Sequence, residues 1–275
     1  MVLRVTTRNA RFQQWEALLG NRGKRQRNRE FLVQGVRPIT MAIRFGWGIR
    51  ELLVNTDVQL SAWARETLEL ARAGQVAVSC ELMAELGGKT EAVPELLAIV
   101  EMPADDLSRI PAGQRMLTVV FDRPATPGNI GTLIRSADAF GADGVIVTGH
   151  AADVYDPKAV RASTGSLFSV PAVRVAAPRT VLDWVTGLRD QGVPVQVVGT
   201  DEHGDLDAAS YDFTQPTLLL IGNETSGLSA AWREACGHLL RIPMAVAAAS
   251  SLNAATAASV ILYESIRQKT AVEHA

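Results

Sequence analysis

From Met116 onward the sequence lays down six short apolar runs: Leu117 to Phe121, Gly144 to Val147, Val173 to Val175, Val195 to Val198, Thr217 to Ile221 and Leu239 to Ile242. Stretches of helical character separate them, at about 130–140, 157–165, 180–190, 229–236 and 251–267. Continuous apolar runs of this length suit strands buried on both faces, which occur in parallel sheets covered by helices. The pattern predicts an α/β fold with an open parallel sheet. Such a sheet binds ligand beyond the carboxyl ends of its strands, so the chemistry is expected in the loops that follow these runs.

The preceding part reads differently. Residues 1–102 mix helical patterns (Asn9 to Leu19, Val36 to Phe45, Ser61 to Ala73, Glu81 to Leu86) with short strands (Glu51 to Val54, Val76 to Val78, Leu96 to Val100), which predicts a small α/β unit. Residues 103–113, polar and bracketed by Pro103 and Pro111, read as a linker. Residues 114–275 then form the second domain. A chain of 275 residues, 47% hydrophobic and 20% charged, is long enough for two domains with cores of their own.

Charge separates the two parts further. Residues 1–37 hold nine basic side chains (Arg4, Arg8, Arg11, Arg22, Lys24, Arg25, Arg27, Arg29, Arg37) against Glu16 and Glu30, a net +7. The rest carries −9 in a chain of formal charge −2. A solvated surface explains many such runs, but this density, with Phe12, Trp15 and Phe31 interleaved, points to a polyanion and so to nucleic acid. Arg8, Arg22, Lys24, Arg25, Arg27, Arg29 and Arg37 are the expected RNA contacts. Cys80 and Cys236 are too few for a disulfide framework, and the basic start has no apolar segment behind it, so a cytoplasmic protein is expected.

Two features point elsewhere and are set aside. Met244 to Tyr263 is twenty residues without a charge, the length of a membrane span. Eight of the twenty are alanine and five are Ser, Thr or Asn, and Pro243 and Ser250-Ser251 interrupt it, so a buried helix is expected and no membrane contact. Asp201-Glu202-His203-Gly204-Asp205 resembles a metal-ligand cluster, but it is a polar loop after a strand, and the other histidines lack zinc-site spacing; no metal is expected.

Three polar constellations stand at the expected strand ends. Pro127 to Gly141 reads as a Gly-containing loop entering a helix, with Asn129, Gly131 and Arg135 spaced to converge on an anion near a helix N-terminus. It lacks the G-x-G-x-x-G of a dinucleotide loop. Gly222-Asn223-Glu224-Thr225-Ser226-Gly227 frees the backbone at two glycines and places a carboxylate at Glu224; alone it is equally an ordinary strand-to-helix turn. The third follows Ile242-Pro243-Met244, where Ser250-Ser251 are placed to cap a helix and Asn253 begins a run of very small side chains.

Together the N-x-G-x-x-x-R run, the N-E-x-x-G run and I-P-M followed by S-S-L-N resemble the three signature motifs of the SpoU (TrmH) branch of the SPOUT methyltransferases, over about residues 115–268. The resemblance implies a SPOUT-type open parallel sheet with a C-terminal trefoil knot, a homodimer, S-adenosylmethionine (SAM) as cofactor, and methyl transfer to a ribose 2'-hydroxyl of RNA. The N-terminal part resembles the ribosomal-protein-L30e-like domain of a subgroup acting on 23S ribosomal RNA, which implies that target and, as one role, resistance to a ribosome-targeting antibiotic. Transfer-RNA methylation and a catalytically silent RNA-binding protein are the alternatives. One departure is Val246, where the family usually has glycine, in a loop about one residue longer.

By the same resemblance Arg135 is the residue on which transfer turns, with Asn129, Glu224 and Asn253 shaping its surroundings. Because a guanidinium holds its proton to above about pH 12, Arg135 is expected to grip an RNA phosphate and polarise the 2'-hydroxyl, the proton leaving through Ser251 or water. SAM is expected against Gly199, Gly222, Ile242, Met244 and Leu252. The exposed apolar face of the last helix (Val260, Ile261, Leu262, Tyr263, Ile266) is expected to need the cover of a second copy.

Overall fold

The computed structural model describes residues 3–88, 92–245 and 251–273. Its contacts divide the chain into two units, Met1–Pro103 with Tyr155–Ser169, and Ala104–Val154 with Val170–Ala275.

The first unit contains β1 (Leu3–Val5), α1 (Ala10–Gly20), α2 (Arg22–Asn28), β2 (Glu30–Gln34), α3 (Val36–Arg44), β3 (Ile49–Asn55), α4 (Ala62–Leu70), β4 (Gly74–Val78), α5 (Cys80–Gly87) and β5 (Leu96–Glu101). The strands form one mixed sheet in the order β1-β4-β3-β5-β2. Phe12, Trp15 and Leu18 project from α1 onto Leu53, Val76 and Leu97 of that sheet. The interleaved aromatics Phe12, Trp15 and Phe31 are therefore core residues, at 0%, 4% and 0% exposure, and not a stacking surface for bases.

Helix α2 escaped the sequence reading because Arg-Gly-Lys-Arg-Gln-Arg-Asn has no apolar residue to reveal a period. Asn21 creates it by accepting the Lys24 N–H at 3.0 Å as N-cap, while its own N–H closes α1. The only side chain that α2 buries is Arg25.

The second expected domain is interrupted in the same way. Tyr155–Ser169 groups with the first unit because Phe31 packs against Trp47, Tyr155 and Phe168, and the Trp47 indole N–H donates to the Phe168 carbonyl at 3.0 Å. An aromatic cluster assembled from three separate stretches leaves no local pattern in any of them.

The second half of the chain runs β6 (Leu117–Asp122), α6 (Pro127–Ala139), β7 (Gly144–Thr148), α7 (Pro157–Ser163, counted with the first unit), β8 (Ala172–Val175), α8 (Pro178–Asp190), β9 (Gln196–Thr200), β10 (Leu206–Asp207), β11 (Thr217–Ile221), α9 (Ala230–Ala235), β12 (His238–Arg241) and α10 (Ala254–Glu273). All seven strands are parallel, in the order β10-β12-β9-β11-β6-β7-β8. The open parallel sheet read from the six apolar runs is present, with β10 added at one edge. Residues 104–113 are not a free linker. Ile110 is buried in the second unit's core, where Gly144 leaves room for it, and Asp105 accepts the Arg174 N–H at 3.0 Å.

First strand β6 lies in the middle of the sheet, beside β11. Ile221 pairs in register with Phe121, so the loops leaving β6 and β11 start side by side at the carboxyl edge. Helix α10 packs along α6, where the Ser136 and Ser259 hydroxyls meet at 2.7 Å. Its N-cap is Asn253, whose side-chain oxygen accepts the Ala255 and Thr256 N–H groups, and not the Ser250-Ser251 pair. Val246 and Ser250, with the rest of 246–250, lie outside the described residues.

Candidate active site

The three constellations meet at the carboxyl edge of the seven-stranded sheet. Asn129 donates through Nδ2 to Glu224 Oε1 at 2.8 Å, and the Asn253 side-chain amide donates to Asn129 Oδ1 at 3.2 Å. Glu224 Oε2 accepts the Ala125 N–H at 3.1 Å. One side chain from each motif is thus tied into a single chain of hydrogen bonds. The Asn253 oxygen caps α10, so its amide nitrogen must face outward to Asn129. Burial raises the Glu224 carboxyl, but the Ala125 N–H and the Asn129 amide outweigh it and hold the group below the usual carboxylate range.

The segment expected as a Gly-containing loop entering a helix is helical from Pro127 on. Pro127 opens α6 at its first turn, so Asn129 is already helical and Gly131 is buried inside the helix. Proline at this position costs no hydrogen bond and supplies a helical φ, which overrides the glycines. Arg135, six residues further along α6, is exposed, and its guanidinium has no hydrogen bond or ion pair to any described residue.

Beside this chain is a cavity of about 410 Å³. Ile242, Met244, Leu252 and Ile261 give it an apolar side, and the Asn223–Gly227 loop walls another. Gly222 lets that loop fold back: a Cβ there would lie 2.5 Å from the Gly227 carbonyl carbon. Ser251 also lines the cavity. Gly199 does not. A Cβ at Gly199 would meet the Leu228, Cys236 and Leu239 side chains at 2.6–2.8 Å, so this glycine serves strand packing, and its neighbour Thr200 reaches the cavity instead.

Residues that the sequence reading did not single out support the loop from behind. Asp122, 2% exposed at the end of β6, accepts the Ser229 N–H at 2.9 Å and the Thr148 hydroxyl at 3.2 Å. Thr148 in turn accepts the Trp232 indole N–H at 3.3 Å. An acid inside an apolar strand was the available signal, because a buried charge requires partners of this kind.

The basic residues of the first unit divide by role. Arg25, 2% exposed, donates to the Leu18 carbonyl at 2.7 Å and lies 3.7 Å from Asp156, so it is a structural arginine and not an RNA contact. Its long side chain is the means by which an all-polar helix anchors to its domain. Arg8 pairs with Glu16 and Glu85, Arg29 with the Met102 and Pro103 carbonyls, and Arg37 with the Thr164 carbonyl at 2.9 Å. Arg22 is half-buried. The side chains of Lys24 and Arg27 are exposed, with no hydrogen bond or ion pair to a described residue.

Elsewhere, Asp201 binds Arg233 and the His203 N–H, and Asp205 binds His238 and the Leu239 N–H. Among the described residues no three His, Cys, Asp or Glu side chains converge as a metal site, and no helix is long and apolar enough to cross a membrane.

A parallel sheet with a cavity at its carboxyl edge, walled by an N-E-x-x-G loop and bordered by the small-residue start of the last helix, defines a SpoU-type methyltransferase domain. Residues 116–263 match the SpoU rRNA methylase family and residues 9–98 the SpoU L30e-like domain, and the chain belongs to the SpoU rRNA methylase family. It is 63% identical to the 23S rRNA (uridine(2479)-2'-O)-methyltransferase of Streptomyces viridochromogenes, over 97% of this chain and 92% of that protein. The crystal structure of the SpoU methyltransferase AviRb from Streptomyces viridochromogenes, in complex with the cofactor AdoMet, superposes with a TM-score of 0.92 at 63% identity, covering 96% of this chain and 99% of that one. An AdoMet-bound rRNA methyltransferase from Sinorhizobium meliloti is 30% identical with a TM-score of 0.85, over 97% and 98% of the two chains.

Proposed function

We propose that the chain transfers the methyl group of SAM to a ribose 2'-hydroxyl of 23S ribosomal RNA. The observation that carries the reading is the cavity beside the Asn129–Glu224–Asn253 chain, in a fold shared at 63% identity with an AdoMet-bound SpoU methyltransferase.

The cavity fits SAM by its chemistry. Ile242, Met244, Leu252 and Ile261 suit a purine ring, and the polar part of the lining, which includes Glu202 and the Asp201–Arg233 pair, suits the amino and carboxylate groups of the methionyl part. Bound there, SAM supplies an electrophilic methyl group on a sulfonium whose leaving group is a neutral thioether. The protein's task is alignment and proton removal, which requires no metal.

Arg135 is the group for the RNA. It is exposed and unpaired within the described residues, so its fork is available to a phosphate beside the reacting ribose. Glu224 and Asn129 hold the start of α6 against the 222–227 loop, which fixes Arg135 relative to the cavity. Ser251 lines the cavity, which supports its reading as the group that passes the 2'-hydroxyl proton to water.

Lys24 and Arg27 on α2, with Arg22, supply the electrostatic part of RNA docking. A homodimer is part of the reading. Ile261 and Leu262 are buried within the unit and need no partner, but Val260, Tyr263 and Val272 remain 42%, 56% and 63% exposed along α10. We place the protein in the cytoplasm, with protection of the ribosome from an antibiotic as one role and housekeeping methylation as the other. Primer extension on 23S rRNA at low dNTP, with and without the protein, tests the reading: a new SAM-dependent stop is expected, and a stop on transfer RNA alone would overturn the assignment.

A further inference from the structure

The residue after β6 is Arg123, and its backbone is left-handed, φ 52°, a conformation that an L side chain occupies at a cost. Two consequences follow from that turn. The Arg123 carbonyl faces the neighbouring loop and accepts the Asn223 amide at 2.7 Å. The guanidinium folds back over the same loop, with Nη1 donating to Ser226 Oγ at 3.3 Å and Nη2 to the Gly227 carbonyl at 3.0 Å. Its Nε donates to Asp122 Oδ2 at 3.1 Å. Space for the side chain comes from Gly149, the residue after β7, where a Cβ would lie 2.7 Å from Arg123 Cγ.

The loop held in this way is the cavity wall. Asn223–Gly227 closes on itself through reciprocal backbone bonds of 3.1 Å, and Asn223 Oδ1 accepts the Thr225 and Ser226 N–H groups. Those bonds shape the loop but do not attach its far end to the sheet. Glu224 ties the middle of the loop to Ala125 and Asn129, and Asp122 holds Ser229 just beyond it. At Ser226 and Gly227 the attachment comes from the Arg123 side chain, and at Asn223 from the Arg123 carbonyl. Neutralising Asp122 would need Nε alone, so the two Nη contacts serve the loop. Arg123 does not itself line the cavity.

We propose that Arg123 is a positioning residue that latches the 223–227 loop to the end of β6, so that the wall of the SAM cavity is preformed before the cofactor binds. The inference rests on the reading of this cavity as a SAM site. A loop already in its bound shape loses less freedom on binding, so the latch acts on cofactor affinity more than on the RNA or on the chemical step.

The test is Arg123→Gly in the full-length protein. Glycine adopts the left-handed backbone freely, so the carbonyl bond to Asn223 is kept and only the guanidinium is lost. The Kd for SAM by calorimetry is expected to rise about 10-fold, the scale of hydrogen bonds from a charged donor, while the KM for RNA at saturating SAM stays within about 2-fold. Arg123→Lys should fall between the two, because one ammonium cannot reach Asp122, Ser226 and Gly227 at once. An unchanged SAM Kd in folded Arg123→Gly overturns the proposal, as does a change confined to RNA. If Arg123→Gly fails to fold by circular dichroism, Arg123→Lys decides it: a raised SAM Kd supports the latch, and a wild-type Kd refutes it. Wild-type protein that binds SAM without methylating 23S rRNA would overturn the substrate reading and leave the latch standing. Wild-type protein that binds no SAM overturns both.

Discussion

Asn129 and Glu224, 95 residues apart in the chain, meet at 2.8 Å, the amide donating to the carboxylate, and Asn253 joins them through the other end of the same amide. This contact binds the first turn of α6 to the loop after β11. It ties the helix that carries Arg135 to the loop that walls the cavity.

Glu224→Gln should therefore lower kcat about 10- to 100-fold, the cost of a charge-assisted bond of about 1.5–3 kcal/mol, because a neutral amide accepts the Ala125 and Asn129 donors poorly. Single-turnover methylation of 23S rRNA measures it. Wild-type turnover in this variant would remove Glu224 from the site.

The same carboxyl gives a pH dependence. Its folded pKa lies below its unfolded value, so the stability it contributes is present above the unfolded pKa, about 4.3, and is lost as the pH falls through the depressed folded value. Chemical denaturation from pH 6 down to about 3 should show a smaller loss of stability in Glu224→Gln than in wild type. Parallel curves would contradict the assignment.

Arg135→Ala should abolish methyl transfer and leave the SAM Kd within a few-fold, since the side chain is exposed and is not part of the cavity wall. Calorimetry paired with primer extension separates the two effects. Loss of SAM binding would mean that Arg135 serves the cofactor and not the RNA.

Two positions of α2 two residues apart should behave oppositely. Arg25→Ala leaves the Leu18 carbonyl without its donor and should cost about 1–3 kcal/mol of stability in urea denaturation. Arg27→Glu should leave stability unchanged but weaken RNA binding and flatten its salt dependence, as should Lys24→Glu. An RNA affinity indifferent to Lys24 and Arg27 would reduce the basic segment to a solvated surface.

Cys236 offers a check on packing. Burial pushes its thiol up to about 11, and the Sγ–H donates to the Trp232 carbonyl at 3.1 Å. Iodoacetamide at pH 8 should leave Cys236 unmodified in the folded protein by mass spectrometry and label it in urea. Rapid native labelling would show that α9 opens.

What the sequence determined by itself is what short range encodes. Six apolar runs set the parallel sheet, because a strand buried on both faces needs apolar residues at every position, and the motifs stood at the ends of those runs because only there does the backbone leave the sheet. Proximity of Asn129, Glu224 and Asn253 came through family resemblance, as no local property of any one of them implies the other two. The tertiary structure alone decided which charges are free. Arg25 and Arg27 look alike in the sequence, yet one lies under α1 and the other in solvent, since burial depends on helix phase in a segment with no apolar period to reveal it. It alone decided the Arg123 latch as well. A residue before proline is expected to be extended, and its left-handed turn is held where Asp122, Asn223 and Gly149 meet it, at the end of β6 and just beyond β11 and β7.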